Sequence, residues 1–314
     1  METLFNTLFP VFGIILLGFI ACKCNILEQS ESAILNKFVY FVSFPSLLFV
    51  VMAKAPMEKI FYWDFIGAWG IGLLLTFLVT AIISHYFWRV NLSSLSINCL
   101  NTTCSSTAFM GVPLIYIAFG QEATVAAIIA TTFLVIVIIS LSIFLIELEK
   151  SESLSMVNII RNIGVSLLRN PLMMGATLGI LASAFLSIPP AIDLLFEMVG
   201  RAAVPISLFA IGLFIAGQSL SKIKQGLFRV NILIVIKLII HPLITWLLID
   251  YFFTLDPVWS AITIILAGLP PATTCFVIAQ RYEVSVSETA SMTVLSTLYS
   301  MVSISIILLM LSIT

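Results

Sequence analysis

Apolar runs of about 20 residues, separated by short polar or charged stretches, recur along the chain. They fall at about 4 to 22, 33 to 53, 65 to 88, 96 to 119 and 122 to 146. After a polar stretch holding Glu147, Glu149, Lys150, Glu152, Arg161 and Arg169, five more follow at about 170 to 187, 190 to 217, 228 to 249, 258 to 280 and 286 to 312. A helix needs about 20 residues to cross a hydrocarbon core of about 30 Å, so ten transmembrane helices are predicted. Strands of a membrane barrel would read as about 10 residues of alternating polarity, which these continuous runs do not. The predicted fold class is an all-α polytopic membrane protein. Residues 1–314 would form one transmembrane domain: 1–146 with spans one to five, 147–169 as a cytoplasmic connection and 170–314 with spans six to ten.

Composition agrees. The chain is 61% hydrophobic and 9% charged, with a mean hydropathy of +1.19, outside the range of soluble domains. Ten spans would use about 200 of the 314 residues, leaving little for a soluble domain. Lys and Arg number 14 against 15 Asp and Glu, so no basic surface for nucleic acid is expected. Five cysteines in or beside apolar runs suggest no disulfide framework, and with His85 and His241 far apart they give no metal-binding spacing. No H-E-x-x-H, P-loop or dinucleotide fingerprint occurs, so no cofactor and no enzymatic activity are expected. The S-x-x-K match at Ser219 to Lys222 has no companion motif and reads as accidental.

Cytoplasmic loops of membrane proteins concentrate Lys and Arg. The odd-numbered connections hold Lys23, Lys37, Arg89, Lys150, Arg161, Arg169, Lys222, Lys224, Arg229 and Arg281. The even-numbered ones hold only Lys54 and Lys59, with Arg201 and Lys237 inside spans. Both termini are therefore expected outside the cytoplasm. The first run should be retained as structure, because Glu2 but no Lys or Arg precedes it and no A-x-A cleavage site follows.

The two five-span halves resemble each other at a near-constant offset. Pro10 and Gly18 in "PVFGIILLGFI" pair with Pro171 and Gly179 in "PLMMGATLGIL", "FPSLLF" around Pro45 with "VPISLF" around Pro205, and "AAIIATTFLVIVI" from Ala126 loosely with "ASMTVLSTLYSMV" from Ala290. Five is odd, so the second copy would lie upside down. Inverted repeats of this kind build many secondary transporters, whose sites form near the midplane from interrupted helices. Apolar helices also resemble one another by composition alone.

Spans four and nine, equivalent under that repeat, each carry such an interruption: "STAFMGVPLIYIAFGQ" with Gly111 and Pro113, and "ILAGLPPATTCFVIAQRY" with Gly268, Pro270 and Pro271. Proline disfavours a helix interior but suits the first position of a new helix, so Pro113 and Pro271 are expected to start second half-helices. Their N-termini, each worth about half a positive charge, would face each other and favour an anion. Ser105, Ser106 and Thr107 on one side, with Thr273 and Thr274 on the other, could supply hydroxyls. The bland alternative at each place is a proline kink.

The runs "STAFMGVPLIYIAFG", "FPSLLF", "VPISLFAIGL" and "LPPATTCFVIAQRY" resemble the auxin efflux carrier family, which includes plant carriers and bacterial homologues, over essentially the whole chain. The resemblance implies a bile-acid-symporter-like fold in which spans four and nine cross at their breaks. It also implies a scaffold containing spans two and seven, often used for dimerisation, beside a moving transport part, and organic anions such as small carboxylates as substrates. The short connection between spans five and six fits a bacterial-type transporter in the cell membrane, its partners being the substrate and lipid. Where the family often has an "NTGF"-like run before the first break, this chain has Ser106, Thr107, Ala108 and Phe109, and Asn101 lies nearly two turns earlier. Ser106 becomes the candidate contact in place of that asparagine.

Lys237 falls about 12 Å inside span eight, with His241 at i+4 on the same face. Intramembrane ionisable groups suggest charge or proton coupling. The other reading is a lysine that snorkels or pairs with a carbonyl opened by Pro242. Asp193, Glu197 and Arg201, spaced i, i+4 and i+8, read as ion pairing near the outer end of span seven. Gly175 to Gly179 allows close helix packing. The expected function is an alternating-access carrier of small organic anions; the competing readings are a channel and a transporter-fold receptor that binds without flux.

Overall fold

The computed structural model describes residues 2–56, 58, 61–150, 161, 164–165, 168–185, 188–217 and 227–311. Most of the 147–169 connection, Lys59, and the stretch with Ser219, Lys222 and Lys224 lie outside the described residues. The described chain is helical, without strands beyond a single isolated antiparallel bridge. We name the helices α1 Glu2–Lys23, α2 Gln29–Lys54 and α3 Trp63–Phe87, α4 Leu92–Thr103, α5 Thr107–Phe119 and α6 Thr124–Glu149. They continue as α7 Pro171–Phe185, α8 Pro190–Ala216 and α9 Leu227–Phe252, α10 Pro257–Ala267, α11 Thr273–Tyr282 and α12 Val286–Met310. Helices α2, α3, α6, α8, α9 and α12 are each long and apolar enough to cross a membrane alone. α5, α7, α10 and the Phe12–Lys23 part of α1 are apolar but shorter. Large apolar side chains such as Phe41, Leu78, Ile239 and Val302 are exposed on the outer faces, as expected for a surface solvated by lipid.

Local sequence sets the ends. Asn91 accepts from Ser94 N–H at 3.1 Å and starts α4. Asp256 accepts from Val258 N–H at 2.9 Å, with Pro257 in the first position of α10. Side-chain acceptors and N1 prolines suit helix starts, whose first N–H groups lack intrahelical partners. Gly120, at φ 85°, turns the chain after α5, in a region that disfavours any residue with a Cβ.

The helices pack in two sets. In one, α1 lies along α8 and α7 along α2. In the other, α3, α4, α6, α9, α10, α11 and α12 contact one another. Glycines let backbones touch within the first set. A Cβ on Gly18 would collide with the Phe209 carbonyl and one on Gly212 with the Ile15 carbonyl, across the α1–α8 seam. One on Gly175 would collide with the Pro45 backbone and one on Gly179 with that of Phe49, across α7–α2. Small residues at such seams replace the hydrophobic driving force that lipid does not supply.

Among the described residues, connections meet in particular combinations. Tyr62 Oη donates to the Thr254 carbonyl at 3.2 Å, and Lys54 pairs with Asp193 at 2.9 Å. Elsewhere Glu149 accepts from the N–H of Leu92 and Ser93 at 3.2 and 2.7 Å, Tyr282 Oη donates to Glu147 at 2.7 Å, and the Arg229 guanidinium stacks over Trp88 at 5.8 Å. These contacts fall into two separate groups of loops.

Candidate functional site

The two breaks are found, that of span nine at Gly268–Ala272 around its prolines and that of span four ahead of Gly111 and Pro113. α4 ends at Thr103 and α5 begins at Thr107, and between them Cys104 and Ser106 each centre a tight turn, Ser105 N–H donating to the Thr103 carbonyl at 2.8 Å and Thr107 N–H to the Ser105 carbonyl at 2.7 Å. α10 ends at Ala267 and α11 begins at Thr273, after an extended stretch through Pro271. The expectation that Pro113 and Pro271 start the second half-helices is corrected: they start at Thr107 and Thr273. The reason for Pro113 is a wide, π-type turn at Thr107–Gly111, in which Ser106 O accepts from Gly111 N–H as well as Met110 N–H, both at 2.9 Å. This turn shifts the register and lets proline sit inside the helix. The carbonyl that Pro113 cannot serve, that of Phe109, accepts instead from Ser207 Oγ of α8 at 3.2 Å. Similar turns precede Pro45 (Val39–Ser43) and Pro242 (Ile236–Ile240).

Non-helical backbone inside a membrane needs partners, and each break supplies the other's. Ser105 and Pro271 face each other as an antiparallel bridge. Ser106 N–H donates to the Pro270 carbonyl and Ala272 N–H to the Cys104 carbonyl, both at 2.8 Å. Pro271 occupies a position whose own N–H would have no role in the pair, so its missing donor costs nothing. Four helix ends, of α4, α5, α10 and α11, therefore meet at one backbone bridge.

The structure brings Ser105, Ser106, Thr107, Pro270, Pro271, Thr273 and Thr274 to this crossing and sorts their hydroxyls. Ser105 Oγ accepts from Lys237 Nζ at 2.5 Å, and Thr107 Oγ1 accepts from Thr131 Oγ1 of α6 at 2.8 Å. Ser106, Thr273 and Thr274 keep side-chain oxygens with no hydrogen bond among the described residues. Thr273 and Thr274 are half-buried, Ser106 buried. Gly111 lies farther in: a Cβ there would press on Leu266 Cδ2 and Leu269 Cδ1 at 2.8 and 2.9 Å, so it keeps the first broken segment close to the second. Pro113 is buried in α5 and lines no open surface.

Lys237 does not snorkel. It is fully buried, as is His241, and its Nζ also donates to the Ala267 carbonyl and meets His241 Nδ1, both at 3.0 Å. The carbonyl it finds belongs to the end of α10, not to the turn opened by Pro242. His241 Nε2 is buried without a partner, and its ring lies 5.9 Å from that of Trp69. Asn101 Nδ2 donates to Thr289 Oγ1 at 3.0 Å, while its Oδ1 is buried and unpaired. Sequence reading missed the Ala267 carbonyl, which carries no side-chain signal. It also missed Thr131 and Thr289, whose only signal is a hydroxyl within an apolar helix.

Of Asp193, Glu197 and Arg201, Arg201 pairs with Glu197 at 2.5 Å as the spacing predicts, whereas Asp193 pairs with Lys54 at 2.9 Å, which also lies 3.6 Å from Glu197. Beside this network a cavity of about 490 Å³ opens between α5 and the helices α1, α2 and α8, lined by Ile14, Leu47, Tyr116, Gln121, Glu197 and Arg201.

Apolar helices on this scale, with broken helices joined back to back inside them, define a multi-pass membrane protein of the transporter class. The chain belongs to the membrane transport protein family of auxin efflux carrier type, whose family description, "Membrane transport protein", matches residues 3–308. It is 25% identical over 299 residues to a "Putative malonate transporter" of Rhizobium meliloti (strain 1021), covering 95% of this chain and 92% of that protein. It is 23% identical over 287 residues to the "Uncharacterized transporter YfdV" of Escherichia coli (strain K12), covering 88% of each.

Proposed function

We propose that this protein is a secondary transporter of small organic anions, carboxylates of the malonate type foremost, working by alternating access at the crossing of the two breaks. The observation that carries the proposal is the Ser105–Pro271 bridge, which gathers four helix ends and the open hydroxyls of Ser106, Thr273 and Thr274 at one place. Thr107 N–H and Cys275 N–H are taken by the Ser105 and Ala272 carbonyls, but those of Ala108 and Phe109 in α5 and of Thr273 and Thr274 in α11 lack intrahelical partners and carry partial positive charge, the complement of a carboxylate. The name of the Rhizobium relative adds support for a dicarboxylate.

Two observations favour a ten-span, five-plus-five inverted repeat. The contact of Gly18 with Phe209 has a counterpart in that of Gly179 with Phe49, and both residues are related at the sequence offset of 160 to 161. Every loop contact described above also joins odd-numbered connections to odd, or even to even, as ten crossings require. On this reading the termini lie outside the cytoplasm of the cell membrane. The α1, α2, α7, α8 set is the scaffold, with α2 and α8 as the homodimer contact, and the other set moves against it in an elevator motion. The cavity beside Arg201 is then an outer vestibule between that scaffold and α5.

Purified protein in liposomes should take up labelled malonate with saturable kinetics, competed by other small carboxylates. Absence of saturable flux for any carboxylate would sink the proposal, and single-channel conductance would replace it with a channel.

A further inference from the structure

A lysine ammonium has three N–H donors. Three acceptors surround Lys237 Nζ: Ser105 Oγ, the Ala267 carbonyl and His241 Nδ1. No carboxylate reaches it among the described residues, and of the partners that an intramembrane charge takes, an opposite charge or backbone carbonyls, the second is the one at hand. The compensation comes from backbone. Ala267 is the last residue of α10, and Ser105 lies two residues past the end of α4. A helix C-terminus carries about half a negative charge, so two converging ends offset about one positive charge. The N-terminal ends of α5 and α11 then remain unbalanced, together worth about one positive charge. His241, accepting through Nδ1, holds its proton on Nε2, and that buried donor has no partner.

We propose that Lys237 is the resident cation of the crossing. It occupies, at the C-terminal helix ends, the place a co-transported metal cation would otherwise have to fill. The N-terminal ends are thereby left for one carboxylate, and the carrier needs no sodium. This inference rests on the anion-carrier reading above.

Thermal unfolding and labelled malonate uptake, each measured in sodium chloride and in choline chloride, test it on the wild type, K237M and K237A. Wild-type unfolding temperature and uptake should be the same in both salts. K237M should lose uptake at least tenfold. K237A should unfold at a lower temperature and be partly restored by ethylammonium, which should not shift the wild type. Sodium that stabilises the wild type and raises its uptake several-fold would overturn the inference, as would wild-type uptake by K237M. If K237A does not fold, the salt comparison on the wild type decides alone. A wild type indifferent to sodium, with K237A rescued by ethylammonium but with no saturable carboxylate uptake, supports the resident cation and contradicts the anion-carrier reading instead.

Discussion

Ser105, Ser106 and Thr107 are consecutive, yet only the middle hydroxyl is left open. Tight turns at Cys104 and Ser106 swing the chain between them, and Ser105 meets Lys237 while Ser106 does not. A sequence shows three neighbouring hydroxyls and no means of ranking them, because their difference comes from partners 132 and 24 residues away. Lys237 and His241 were legible as an i, i+4 pair on one helix face; the Ala267 carbonyl that completes the cluster was not. If Ser106 and Thr274 donate to a bound carboxylate, S106A and T274A should each raise the KM for malonate about tenfold, the equivalent of about 1.4 kcal/mol, with little change in unfolding temperature. Uptake kinetics beside thermal unfolding would check this, and unchanged KM in both variants would remove these hydroxyls from the site.

Among elements, prolines set the expectation and wide turns altered it. The Gly/Pro clusters correctly marked spans four and nine as interrupted, but the turn at Thr107–Gly111 absorbs Pro113, and the break moves to Cys104–Ser106. Such a turn depends on a tertiary partner for the freed Phe109 carbonyl, which here is Ser207 of a helix about 100 residues away. S207A should therefore cost about 1 kcal/mol of stability. In P113A the restored N–H can reach the Phe109 carbonyl, so the S207A/P113A double variant should be less destabilised than the sum of the two single changes. Additive unfolding shifts would contradict that coupling. The glycine seams were half legible: Gly175 and Gly179 read as a close-packing motif, whereas the partners of Gly18 and Gly212 became evident only from the α1–α8 contact. Leucine at Gly18 or Gly179 would meet backbone rather than a flexible side-chain tip. G18L and G179L should lower the unfolding temperature by similar amounts if the two seams are repeat equivalents.

For the whole molecule, apolar runs and charge made the membrane class legible, since both depend on the solvent and not on tertiary detail. The pairing of the two breaks was legible only through their places in the proposed repeat, and the bridge between them adds the geometry that no local pattern encodes. The proposed orientation can be tested at loops of opposite parity. Cys24 is exposed in the first connection, and Thr254 is exposed between α9 and α10. A membrane-impermeant maleimide applied to intact cells should label T254C and spare Cys24, with the reverse in inverted vesicles; labelling of both from one side would contradict the ten-span reading. Alternating access itself is tested most directly by exchange. Liposomes containing the protein and preloaded with unlabelled malonate should take up labelled malonate several-fold faster than empty ones, because a loaded carrier reorients in both directions. Uptake indifferent to the internal substrate, accompanied by steady conductance, would contradict a carrier built on the crossing.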